Sequence, residues 1–545
     1  MAAPSASERP AAPLAGPWLI AFIASVVLSL VLLLLTSGNP ILAATPLIIV
    51  AVVYLFTALP LRVPLLVLLF LASLADSLPI AVPIKASGGV EIIGVSTELF
   101  NAVSWAPPLY PLYAVLFENL NKVLPIEALR FSAVDLLYIL SLLLVLVRVA
   151  FRIRVDRLDR QPATTALHLV MGGVLLGAVW LEVWGVGLRG GDFRQSLWQF
   201  RQLFWLPTVT MLFAYAFRDI RDFNRAINLL ITAVCIKLVF VVWFYFTVAR
   251  PGHFEPATIT SHYDSILFTV TIVALVARYL HAPGTKNLVL LGTIGTWVLL
   301  GIVLNNRRLA FVSLGASLFV VFIMLRGPMK KMLLRVMLYA SPLVVAYVVV
   351  GQAGNSRIFK PAKLVTSVIR QDDRSSSTRD VENYNLLVTL KRVKLLGNGW
   401  GHEYIEAVRG DDISEAFPQY KYQAHNSVLW LWTVGGLVGF SLLWMPLCLG
   451  IFLARRAYIF ARAPADRAAA AIAVSMVITY MIQAWGDLGT QHLNSTLVLG
   501  IALATAAKLA VSTGAMPAKL RFVGVRRPES RVQAQAHVAF TPGQE

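Results

Sequence analysis

Long apolar runs separated by short arginine-bearing turns leave this chain one kind of solution. A hydrocarbon core about 30 Å thick offers no water to backbone amides, so a segment inside it must satisfy its own hydrogen bonds. About 20 apolar residues wound into a helix do so. About 14 such runs can be counted, near 17–35, 41–59, 63–80, 132–150, 164–186, 203–217, 226–248, 263–280, 287–304, 309–325, 336–351, 425–453, 468–484 and 495–511. The first lacks a strong basic flank and is longer than a simple signal core, so it reads as an anchor.

Composition agrees. Only 14% of the 545 residues are charged and 58% are apolar, with a mean hydropathy of +0.72. Soluble domains carry roughly 25% charge, and disordered chains are poor in apolar residues, so both classes are excluded. The expected fold class is an all-α polytopic membrane protein of about 14 transmembrane helices with one large loop on the outward face. Its parts are an N-terminal transmembrane bundle of about 11 spans (1–351), the loop (352–424), C-terminal transmembrane helices (425–512) and a cytoplasmic tail (513–545). Cys235 and Cys448 both lie inside apolar runs, so no disulfide framework or cysteine metal site is available.

The net charge of +19 marks membrane sidedness rather than nucleic acid, since no basic tract is interleaved with aromatics. Arg152 to Arg160, Arg218 to Arg225, Arg326 to Arg335 and Arg455 to Arg467 all fall on one side of the span count, with both termini. The positive-inside rule makes that side cytoplasmic. The opposite face carries residues 81–131, read as interfacial helices around Trp105-Ala-Pro-Pro-Leu-Tyr-Pro, and the long 352–424 loop. A loop of that length is uncommon unless it is functional.

The informative residues are cations on the outward side. Asn305-Asn306-Arg307-Arg308 sits in a short outward turn, where desolvating guanidinium groups is costly. They either snorkel to headgroups or grip a phosphate at the membrane surface, which the planar guanidinium fork suits. Arg189, Arg194 and Arg201 repeat the theme, and Arg194 and Arg201 share a helical face. In the long loop, Ser377 or Thr378 followed by Asp380 and Glu382 reads as a helix start that fixes Arg379. At the loop's end His425-Asn426-Ser427 precedes an apolar helix, and His425 is placed to titrate near neutral pH.

These stretches together resemble the O-antigen ligase and O-antigen polymerase superfamily of bacterial membrane glycosyltransferases. The matching elements are Arg308-Leu309-Ala310 opening a span, Thr378-Arg379 opening a loop helix, and the turn Gly397-Asn398-Gly399. His425-Asn426 heading a helix with Gly435-Gly436 completes the set. The motifs cover roughly 287–453. Leu309 is bulky where the family has a small residue, and Arg307 doubles the cation, so either arginine can take the role.

The resemblance implies a GT-C-like helical fold in the bacterial inner membrane with a periplasm-facing site, which makes the large outward loop a periplasmic loop. It implies metal-independent, inverting transfer of a glycan from an undecaprenyl-pyrophosphate carrier to an acceptor hydroxyl, without a cofactor. Membrane lipids and a lipid or glycan acceptor are the other partners. Arg308 and Arg379 are then the pyrophosphate grip, with Arg307 and Arg201 beside them, and His425 is the general base or an orienting group. A lipid A-core acceptor makes the chain a ligase, a carrier-linked glycan a polymerase, and a protein hydroxyl is a third acceptor. A lipid-linked sugar transporter or flippase is the alternative of another class, its path lined by Lys237, Glu182 and Asp135. Those three and Asp487 read better as pairs inside the bundle. His253, Glu255, His262 and Asp264 match no strong metal-ligand spacing. The adjacent Asp372-Asp373 and Asp411-Asp412 point apart in regular structure. His402 and Glu403 are placed either along the acceptor path or on the surface.

Overall fold

The structure is a computed structural model, and it describes residues 15–35, 40–57, 59–75, 82–85, 91–94, 113, 116–117, 131–151, 161–250, 259–261, 263–305, 307–353, 359, 362–363, 374–410, 419–487, 489 and 492–519. In chain order the helices begin with α1 (Ala15–Leu35), α2 (Pro40–Thr57) and α3 (Arg62–Ala75). A two-stranded antiparallel hairpin follows, β1 (Val82–Lys85) with β2 (Glu91–Gly94). Then come α4 (Ala133–Ala150), α5 (Thr165–Glu182, running into a π turn at Val183–Leu188), α6 (Phe193–Ala216) and α7 (Ile220–Phe244). The chain continues with α8 (Asp264–His281), α9 (Thr285–Asn305), α10 (Arg308–Met324) and α11 (Pro328–Ala353). It closes with α12 (Arg374–Arg392), α13 (Ser427–Phe460), α14 (Pro464–Gly486) and α15 (Leu493–Ser512).

Every apolar run expected to span coincides with one of these helices. Among the described residues, ten helices are long and apolar enough to cross a membrane, and Ala43–Phe56, Arg62–Ala75 and Arg308–Met324 are shorter apolar helices. Ten is therefore the number that length and composition support. α6 is not among the ten because its first three turns carry Arg194, Gln195, Gln199 and Arg201. Asp192 caps it, accepting from the amides of Arg194 and Gln195 at 2.8 and 3.0 Å, so it starts well before the apolar run.

Two local expectations change. The region read as interfacial helices holds the β1–β2 hairpin, while the Trp105 segment lies outside the described residues. The loop helix begins at Arg374 rather than after Ser377, so Arg379 sits in its second turn.

α14 and α15 form the centre of the bundle. Their spanning windows are 78% and 89% buried, whereas that of α11 is 0% buried and that of α1 is 11%. Alanines line both central helices, and small residues let helices approach closely where lipid gives no hydrophobic drive. α14 packs against α8, α10 and α13, and α15 against α6, so the end of α14 meets the start of α10.

Candidate functional site

The site is built on a knot of backbone. α13 breaks at Gly436, whose φ of 59° belongs to the left-handed region that glycine tolerates. A break strands carbonyls and amides that a regular helix would pair. The segment after α12 meets them: the amides of Asn398 and Gly399 donate to Thr433 and Val434 at 3.0 and 2.9 Å. In return, Leu437 donates to Lys394 at 2.9 Å.

The other side of the knot is the π turn after α5. Trp400 donates its amide to Leu181 at 3.1 Å and its indole N–H to Ala178 at 2.9 Å. Gly185 abuts the Trp400 and Gly399 backbone so closely that a Cβ there would overlap it. π turns widen a helix locally, and here the widening admits a loop. Gln199 on α6 ties the parts together, receiving the Gly401 amide at 2.6 Å and donating to the Tyr422 carbonyl at 2.7 Å. The first residues of α13 are thereby held at a fixed place.

On α12, Glu382, Asn385 and Thr389 lie along one stripe. Asn385 clamps Val408 by a donated and an accepted bond of 2.8 and 2.9 Å. Glu382 receives the His425 amide at 3.1 Å, and both its oxygens stand 3.2 Å from His425 Nδ1. Asn426 caps α13 by accepting from Val428 and Leu429. Burial pulls the His425 pKa down, but the hydrogen bond and charge of Glu382, helped by Asp487 and opposed by Arg379, raise it overall above the ordinary histidine value.

Arg379 precedes Glu382 by one helical turn, and its Nη2 stands 3.9 Å from Asp487 Oδ2. Asp487 ends α14, and its side chain is only 6% exposed. Arg307, half-buried at the head of α10, shares the same field. Burial chiefly lowers its pKa to about 10, with Arg379 lowering it further while Asp487 and Tyr263 act the other way. Tyr263 stacks on His492 with ring centroids 3.8 Å apart. Burial pushes the His492 imidazole down to about 3, so it stays neutral. Asn305 closes the wall by accepting from Ile259 and Thr260 at 3.2 and 2.9 Å.

Arg307, Arg379 and His425, named from the sequence, thus gather around Asp487. Arg308 is exposed at the first turn of α10. Leu309 fits because the opposing residue is Gly486; a Cβ there would sit 2.7 Å from Leu309 Cδ1. Arg201 belongs to another set. Its guanidinium pairs with Asp135 and lies 5.4 Å over the Trp198 ring, and Asp135 also accepts from Ser132 to cap α4. Lys237 pairs with Asp264 at 2.7 Å in the bundle interior, and Glu182 accepts from Ser196 at 2.7 Å.

His402 donates from Nε2 to the Gly185 carbonyl at 3.0 Å, which gives it a place in the knot. His253, Glu255, His262, Asp372-Asp373 and Asp411-Asp412 lie outside the described residues. Sequence reasoning missed the pairing of Glu382 with His425, although an acid one turn after Arg379 was a usable signal. It also missed Asp487 as the hub.

Arginines and a histidine from α10, α12 and the start of α13 thus share one end of the bundle. Residues 294–445 match the family described as O-antigen ligase. The match supports a relationship of that segment to the O-antigen ligase superfamily. Arg307, Arg308, Arg379, Glu382 and His425 lie within the O-antigen ligase segment, whereas Asp487 and Arg201 lie outside it. No curated protein matches the chain. With ten helices of spanning length among the described residues, the chain is a multi-pass membrane protein whose residues 294–445 match the O-antigen ligase family.

Proposed function

We propose that the chain moves a glycan from an undecaprenyl-pyrophosphate carrier to an acceptor hydroxyl at the periplasmic face of the inner membrane, with lipid A-core as the acceptor. The observation that carries this is the grouping of Arg307, Arg379 and the Glu382–His425 pair around Asp487.

The diphosphate leaves with its negative charge growing as the anomeric C–O bond breaks. Preorganised cations stabilise that charge without moving during the reaction. Arg379 and Arg307, which share Asp487, turn to the diphosphate, and exposed Arg308 adds a third guanidinium from the rim. Arg201, engaged by Asp135, is assigned to a structural role. The acceptor oxygen attacks the anomeric carbon on the face opposite the leaving group, which inverts the configuration. Its proton passes to Nε2 of His425, while Nδ1–H stays on Glu382, which orients the ring and stabilises the imidazolium formed. The arginines supply the positive charge that a divalent metal supplies in other transferases.

The test is transfer by purified protein in detergent with EDTA, from carrier-linked glycan to a panel of acceptors. Product on lipid A-core is expected. No product with any acceptor, together with donor movement across a liposome, would assign the protein to transport instead.

A further inference from the structure

At the opposite end of α14 lies a second group of arginines that glycan transfer does not use. α14 has 23 residues, so its first turn stands about 34 Å from Asp487, one membrane thickness away. There the C-terminal ends of α8, α10 and α13 close around the start of α14. Tyr458 of α13 lies in the field of Arg467, Arg326 and Arg455, one from each of three chain segments. Its ring meets His281 of α8 edge-on, with Tyr458 Oη 3.0 Å from His281 Nε2.

Like charges brought together in this way repel, and each needs an anion. Among the described residues none of these three arginines makes an ion pair. Arg467 spends Nε on the Ala461 carbonyl at 2.9 Å. Arg455 keeps Nη1 shielded from solvent without a hydrogen-bond partner. The start of α14 adds a second attraction. Ala463 caps it without a side-chain hydrogen bond and Pro464 follows, so its first amides point outward with their partial positive charge. Asp466 in that turn pairs with none of the three arginines.

We propose that this cluster binds the phosphate of an anionic phospholipid headgroup. A shielded guanidinium N–H, two further arginines and open helix amides suit a phosphate bearing one or two charges. The apolar surface next to it selects a lipid over a free ion. Ile323, Phe452, Ile459 and Phe460 are all about half exposed on the adjoining helix ends. They give acyl chains a surface directly beside the cations.

The experiment uses the full-length protein in nanodiscs or mild detergent, with native mass spectrometry and thermal melting as readouts. Phosphatidic acid, phosphatidylglycerol and cardiolipin are compared with phosphatidylcholine, and inorganic phosphate is titrated separately. Anionic lipids should be retained and should raise the melting temperature, and phosphatidylcholine and inorganic phosphate should not. The double variant Arg326→Gln/Arg455→Gln should weaken anionic-lipid retention by at least about a hundredfold, the loss expected from two charge-assisted contacts. Its melting temperature in phosphatidylcholine should match that of the unmodified protein, which separates lost binding from lost folding. Equal retention of anionic and zwitterionic lipid would overturn the proposal. So would undiminished binding by the variant, or an equal, arginine-dependent response to inorganic phosphate.

Discussion

Glu382 holds His425 at two points, by the backbone amide at 3.1 Å and by Nδ1 at 3.2 Å from each carboxylate oxygen. One carboxylate thus fixes both where the residue sits and which ring nitrogen remains open. Replacing Glu382 with Gln should lower the turnover rate by about a hundredfold, at the lower end of what a placed general base contributes.

The pH dependence follows from the sign of the His425 shift. The imidazole must be neutral to accept a proton, and its folded pKa is raised. The acid limb of turnover should therefore sit above about pH 6.5, the free-histidine value. In Glu382→Gln, burial acts without the carboxylate, so the limb should move to lower pH. Stability runs the other way. A raised folded pKa contributes stability that is fully present below the unfolded value and lost as pH rises through the folded one. The stability gap between the natural protein and Glu382→Gln should be widest in mild acid and narrow in base. Turnover and melting measured across pH check both limbs.

Asp487 holds two guanidinium groups in check, and Arg307 is half-buried. Asp487→Asn leaves that charge poorly compensated and should destabilise the protein by about 2–4 kcal/mol, read by thermal melting.

Gly185→Ala places a Cβ against the Trp400 carbonyl in a segment where the backbone has no room to move. The protein should insert in the membrane, because the spans are intact, yet lose transfer and become protease-sensitive after α12. Limited proteolysis of membranes reads this directly.

The buried Lys237–Asp264 pair gives a test of the packing inside the bundle. Either single Ala replacement removes a 2.7 Å contact from a buried charge and should cost about 3–5 kcal/mol, whereas Lys237→Met with Asp264→Leu should cost less than either. Melting of the three variants decides.

Much of the fold was legible because lipid forces a simple code, and every apolar run became a helix. The count of full-length spans was not, since α2, α3 and α10 are short and α6 is half polar. Arg379 and His425 were legible from motif order. The choice between Arg307 and Arg308 was not, because neighbouring residues at a helix start point about 100° apart, and only packing reveals that Arg307 turns inward while Arg308 is exposed. Arg201 looked like a member of the outward set, but its partner Asp135 lies on α4, and no sequence spacing joins the two. Asp487 is hidden for the same reason: it reaches Arg379 only through the packing of α14 against α10 and α13. The π turn after α5 leaves no composition signal, and it is what seats the loop.

The most direct test measures donor turnover by membrane-inserted Arg307→Gln, Arg308→Gln, Arg379→Gln and His425→Gln at fixed carrier-linked glycan. Arg379→Gln and His425→Gln should each lose at least about a hundredfold in rate. Arg307→Gln should follow them closely, and Arg308→Gln, at the rim, should lose least. Full turnover by correctly folded Arg379→Gln and His425→Gln would contradict the account.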